Sequence, residues 1–314
     1  MSSMDPSAGS LLRADPTLLI AEQVAKERCI LFLGAGVHFG PPDGSPFAYP
    51  EDQRPPTGGT LSRELAKACG FERQFPGESP GDLQRVSACY EHFHRSRKKL
   101  TDTVCAAVQR GRAPSPVLRA LAELPFALVV TTNYDTLFET ALRDLGKTPF
   151  VGVYSPAQDA IVDEPAEPTA ASPFVIKLHG DVQDPSSLVI TDEDYIRFVM
   201  RMGDKDPHNP VPETFRFYFK RWPTLFVGYS LRDYNLRLLF QTLRWKMDRA
   251  DIPVTYSVDP RPDPLILAVL QDQRQYVTFL AEDAWEFVPR LYRRVTGKVM
   301  AAALAPKPEA EVAA

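Results

Sequence analysis

The chain has no apolar stretch of the length that crosses a bilayer. Its apolar runs, such as Leu31 to Leu33 and Ala127 to Val130, are strand-sized, against about 20 residues for a spanning helix. Membrane insertion is therefore not expected. Met1 to Ser10 lacks the charged-then-apolar order of a secretion signal, which predicts a cytoplasmic protein with reduced thiols. Cysteine is scarce: Cys29, Cys69, Cys89 and Cys105 fall at spacings that match neither a CxxC pair nor a zinc ribbon. Inert thiols and no metal are expected. Basic charge is not in excess either, with 36 Lys and Arg against 40 Asp and Glu and a net charge of −4. A protein that works by neutralising phosphates along a duplex would carry the opposite balance. The run His94, Arg95, Arg97, Lys98, Lys99 reads as a solvated face rather than a nucleic-acid surface. Self-similarity at a fixed period is absent, which excludes a solenoid.

What is present suits an enzyme-sized core, since 314 residues with 44% apolar content fill one large domain or two modest ones. Asp15-Pro16 is a helix-start signal, and Leu18, Leu19, Ala21, Val24 and Ala25 carry a helical stripe toward Arg28. Cys29 to Leu33 follows as a strand without polar alternation, the pattern of a strand buried on both faces. Similar strands are expected at Ala127 to Thr131, Val175 to Leu178, Leu225 to Val227 and Val254 to Val258. Helical patterns between most of them predict an α/β fold with a doubly wound, mostly parallel, Rossmann-like sheet.

Between about 61 and 124 the alternation stops. Four successive helical patterns (Leu61 to Cys69, Asp82 to His94, Leu100 to Arg110, Pro116 to Leu124) predict a helical insertion over the sheet. The 30 prolines cluster at Pro41 to Pro56, Pro156 to Pro173 and Pro207 to Pro212, marking loops. Those at 41–60 and 154–173 are long enough to serve as lids. The expected organisation is a disordered start over 1–13, one domain over 14–300, and a disordered Ala, Pro and Glu-rich tail over 301–314.

Four strand ends carry chemistry. Gly34-Ala35-Gly36 lets the backbone turn sharply and bring its N–H groups to a pyrophosphate, although Phe39 stands where a dinucleotide fingerprint has its third glycine. A plain tight turn explains the same residues. Thr131-Thr132-Asn133-Tyr134-Asp135 precedes an amphipathic helix, so Asn133 and Asp135 serve either a ligand crevice or as helix caps. Lys177-Leu178-His179-Gly180-Asp181 places a histidine where a base is useful, or where a structural hydrogen bond is. Gly228-Tyr229-Ser230 with Asp233 opens the helix expected over Tyr234 to Lys246, and either binds a ribose or phosphate or caps it.

In this order and spacing, from Pro16 to Val295, the four motifs resemble the sirtuin-like domain of the bacterial branch found in defence proteins. Pro56-Thr57-Gly58-Gly59 also resembles that family's segment after the glycine loop. The resemblance implies NAD+ as substrate, with Gly34 and Gly36 near the pyrophosphate, Asn133 and Asp135 near the nicotinamide ribose, His179 as base, and Ala35, Thr132 and Gly228 among the residues that bind NAD+. Ser230 falls toward the adenosine half, with Asp259 as a second candidate there. His38 stands where the family often carries serine, and offers a substitute donor. The implied activity is an NAD+ glycohydrolase of antiphage defence, releasing nicotinamide and ADP-ribose. The alternatives are a silent NAD or ADP-ribose sensor, and a protein deacylase or ADP-ribosyltransferase, of which the deacylase branch uses a zinc ribbon that this chain lacks. Control by a homo-oligomer, or by a partner ATPase or nucleic-acid-guided protein, also follows from the resemblance.

Overall fold

In a computed structural model of the chain, the described residues are 15–156, 167–203, 213–231, 251–272 and 277–301. Strands β1 (Ile30–Leu33), β2 (Leu128–Thr131), β3 (Phe150–Val153), β4 (Phe174–Lys177), β5 (Thr224–Val227), β6 (Thr255–Val258) and β7 (Val277–Leu280) form one sheet in the order β3-β4-β2-β1-β5-β6-β7. Every pairing between them is parallel. The register aligns Lys177 with Thr131, Thr131 with Leu33, Leu33 with Val227 and Val227 with Val258, so the carboxyl ends form one row. β1 lies at the point where the chain switches from building one half of the sheet to building the other, which in such sheets is where ligands bind.

The continuous apolar runs are explained by burial on two sides. β1, β2, β4 and β5 are buried at every position. Because successive strand residues face opposite ways, Leu31, Val129, Val175 and Leu225 pack with helices α1 (Pro16–Ala25), α6 (Pro116–Glu123) and α7 (Leu137–Asp144) and the helix Ala284–Thr296. Phe32, Val130, Ile176 and Phe226 face Phe198 of α8 (Asp192–Gly203), Phe215 and Phe219 of α9 (Glu213–Phe219), and Ile266. The sheet is thus covered on both faces, as a doubly wound fold requires. The edge strands β3 and β7 escape the sequence pattern because they are only partly buried and short.

Helices α2 (Gly58–Cys69), α4 (Leu83–His94) and α5 (Arg97–Gln109) form a third apolar cluster with Leu188 and Ile190, flanked by the short α3 (Phe71–Gln74). Of the four helices expected over 61–124, the last, α6, leaves this layer and packs on the sheet. The starts of all four are set by side-chain caps: Thr57, Asp82, Ser96 and Ser115 accept from the N–H three residues on. Arg97, from the basic run, pairs with Glu91 and with Asp194 of α8, tying the helical layer to the domain beneath. Lys98 pairs with Asp102.

No helix among the described residues is long and apolar enough to cross a membrane. The expectations for residues 1–13, for 302–314, for Pro207 to Pro212, for Asp233 and the helix Tyr234 to Lys246, and for part of the 154–173 loop lie outside the described residues.

Candidate functional site

The turn after β1 and the turn after β5 interlock, and glycine is what permits it. Gly228 has φ +68°, and a Cβ on it would stand 2.1 Å from the Val37 nitrogen. A Cβ on Gly34 or Gly36 would meet the Gly228 carbonyl at 2.5 or 2.7 Å. Gly36 N–H donates to that same carbonyl at 2.8 Å, and Gly34 N–H to the Val227 carbonyl at 3.1 Å. Two motifs far apart in sequence are therefore one structural unit. Ala35 to His38 then turns as a short 3-10 helix.

Above this unit lies a cleft of about 1030 Å³ along the carboxyl row of the sheet, the size of a large ligand site. Ala35, Gly36, Thr132, Asn133, Asp135, His179, Gly228, Ser230 and Asp259 all line it. Gly34 does not; it packs beneath, against Gly228 and Tyr229. Asp259 Oδ1 also accepts from the Arg261 N–H at 2.9 Å, which orders the turn after β6.

Around Asp135 the cleft wall is densely hydrogen-bonded. His38, 3% exposed, donates from Nε2 to Asp135 Oδ2 at 3.1 Å, and the Asn133 carboxamide lies 3.4 Å from the same nitrogen. His38 was read from the sequence as a donor to the ligand; here that nitrogen is directed at Asp135. Asp135 also accepts from the Leu137 N–H at 3.0 Å, so the capping and the site roles coexist in one carboxylate. Burial opposes its charge, but the neighbouring His38 and Lys177 outweigh that and hold its carboxyl below the usual range. Asn133 is placed by its own N–H, which donates to Thr131 Oγ1 at 3.0 Å, while Thr131 donates to the Leu33 carbonyl.

His179 is 5% exposed. Its Nδ1 lies 3.4 Å from the Tyr195 hydroxyl, and its ring stands edge-on to Tyr195 and Phe198 at 5.0 and 5.2 Å between centroids. Its carbonyl accepts from Val189 N–H, so the loop before α8 holds the backbone of His179 while α8 holds its ring. Gly180, φ +88°, lets the chain turn away under Ser187; a Cβ there would be 2.4 Å from the Ser187 carbonyl.

Several lining residues escaped the sequence reading: Tyr195 from α8, and Trp285, whose indole donates to the Phe39 carbonyl at 3.1 Å and so closes the glycine loop from the far end of the chain. An aromatic residue on a helix gives no spacing signal of its own. The cysteines stand apart from the cleft. Cys29 is buried, its thiol pushed up by desolvation, and Cys69 Sγ lies 3.9 Å from Cys89 Sγ in the helical layer.

Residues 127–286 match the family model described as a SIR2-like domain. The chain belongs to the SIR2-like family. This SIR2-like protein is 26% identical over 269 residues to the NAD(+) hydrolase ThsA of Acinetobacter baumannii, covering 77% of this chain and 50% of the relative. It is 34% identical over 134 residues to NAD(+) hydrolase ThsA of Enterococcus faecium, covering 40% of this chain and 24% of the relative. To Defense-associated sirtuin 2 of Bacillus subtilis it is 27% identical over 159 residues, 49% of this chain and 14% of that protein. The chain thus spans half or less of the length of these relatives. The matched range holds the Asn133, Asp135, His179 and Gly228 turns of the SIR2-like protein.

Proposed function

We propose that the cleft binds NAD+ and hydrolyses its nicotinamide–ribose bond, and that the protein acts in defence by depleting NAD+. The observation that carries the reading is the meeting of Asn133, Asp135 and His179 in one cleft that continues past Gly36 and Gly228 to Asp259. An extended dinucleotide needs such a cleft, with a catalytic end and a nucleoside end. The names of the relatives, NAD(+) hydrolase and defence-associated sirtuin, support the same chemistry.

In this reading the nicotinamide end lies over Asn133 and His179, and the pyrophosphate passes the Ala35–Gly36 turn. The carbon–nitrogen bond breaks with its electron pair leaving on nicotinamide, and the ribose passes through an oxocarbenium-like state. Water adds to that carbon, and its proton is taken up by His179. That role requires the tautomer in which Nδ1–H donates to the Tyr195 hydroxyl, 3.4 Å away, and the lone pair falls on Nε2. Asn133 orients the water, its backbone held by Thr131, and Asp135 orders the same turn by bonding His38 and the Leu137 N–H. The products are nicotinamide, ADP-ribose and a proton.

Restraint of this activity belongs to the same proposal: a homo-oligomer, or a partner ATPase or nucleic-acid-guided protein, gates the cleft. Free nicotinamide released from NAD+ by purified protein is the test, compared with folded His179→Ala and Asn133→Ala variants. Both variants are expected to lose at least about 100-fold in kcat. Equal release by wild type and variants overturns the assignment. A monomer in size analysis that is fully active alone overturns the gating.

A further inference from the structure

Lys177, the last residue of β4, is completely buried and forms no part of the cleft wall. Its ammonium stands 2.7 Å from Asp181 Oδ2 and 3.1 Å from Glu139 Oε1. It also donates to the backbone carbonyls of Tyr134, at 3.2 Å, and Asp135. One charge therefore touches the turn after β2, the first turn of α7, and the turn after β4. Asn133 immediately precedes the first of those carbonyls, and His179 lies between Lys177 and Asp181.

A buried ion cluster is a weak source of stability, because removing the ions from water costs about as much as their attraction returns. What it does supply is geometry: an ammonium directs its three protons to fixed oxygens. The backbone has its own bond between the same turns, Val182 N–H to the Tyr134 carbonyl at 3.0 Å. That is one bond to one carbonyl, whereas the Lys177 ammonium reaches that carbonyl, the next one and two carboxylates.

We infer that Lys177 is a positioning residue, whose ammonium fixes the orientation of the Asn133 turn against the His179 turn and so sets the geometry of the catalytic pair. The inference rests on the cleft being the NAD+ site. Displacements near 1 Å in such a pair cost roughly 100-fold in rate, although Lys177 meets neither substrate nor water.

The test uses full-length Lys177→Met and the charge-balanced Lys177→Met/Glu139→Gln/Asp181→Asn, which leaves no unpaired carboxylate if the single variant does not fold. Two readouts are taken on whichever folds. In amide hydrogen exchange, Leu137 and Val182 are expected to exchange at least tenfold faster, with Leu31 to Leu33 of β1 unchanged. In nicotinamide release, kcat is expected to fall at least tenfold while KM moves less than threefold. Unchanged exchange at the two turns overturns the inference, even where wild type releases no nicotinamide and the NADase reading itself has failed. Loosened turns with wild-type kcat, or a fall in rate carried by KM, also overturn it. So does failure of both variants to fold, since the cluster is then needed for folding itself.

Discussion

At the residue scale, Asp135 shows why a polar residue after a buried strand resists a single label. One oxygen caps Leu137 N–H and the other takes the His38 ring, so structural and site roles share one carboxylate. Its carboxyl lies below its ordinary value of 3.8. A lowered value in the folded state means that the ionised group stabilises the fold above the unfolded value, and that this stability is lost as pH falls through the folded one. Asp135→Asn is therefore expected to flatten the decline of stability below about pH 4, as read by urea melts from pH 6 to pH 3. A decline as steep as that of wild type refutes the linkage. The sequence pointed to Asp135, Asn133 and His179 by their places at strand ends. It did not pair His38 with Asp135, because 97 positions separate them and spacing carries no information on which turns meet.

At the scale of elements, the interlocked turns after β1 and β5 make a sharper demand than a flexible loop would. Gly228→Ala forces both a left-handed backbone and a Cβ at 2.1 Å from a backbone nitrogen. Gly146, φ +75° with nothing within 4 Å of its would-be Cβ, isolates the first effect alone. Gly146→Ala is expected to cost about 1–2 kcal/mol, and Gly228→Ala clearly more, with loss of soluble protein as the extreme outcome. Equal costs in paired thermal melts refute the interlock. Strands β1, β2, β4 and β5 were legible because burial on both faces leaves an unbroken apolar run. β3 and β7 were not, since edge strands are buried by halves and Gly152 interrupts the pattern.

At the scale of the whole molecule, a ligand that binds only the folded cleft must raise the stability of the entire chain. The His179→Ala variant, which the proposed mechanism leaves unable to hydrolyse NAD+, keeps the other lining residues, so NAD+ at 100 times its Kd is expected to add about 2.7 kcal/mol. In a chain of 314 residues that is a rise in Tm of about 4 °C, measured by a thermal melt with and without NAD+. No shift at saturating NAD+ removes the cleft from consideration as its site. Three apolar clusters underlie that cooperativity, two on the sheet and one in the helical layer, and Leu188 and Ile190 join the third to the loop after His179. The helical layer is thus part of the wall that holds the site.

The sequence by itself determined the alternation of buried strands and helices, the caps that start α2, α4, α5 and α6, and the four strand ends where polar residues and glycines gather. Those are local properties, written in the period of apolar residues and in the chemistry of single turns. Only the tertiary structure decided that the glycines of two turns occupy each other's space, that His38 reaches Asp135, that Trp285 returns to close the glycine loop, and that Lys177 holds two turns on one charge. Each of these depends on the order of strands across the sheet, and local patterning leaves that order open because parallel strands of equal burial are interchangeable until their side chains pack.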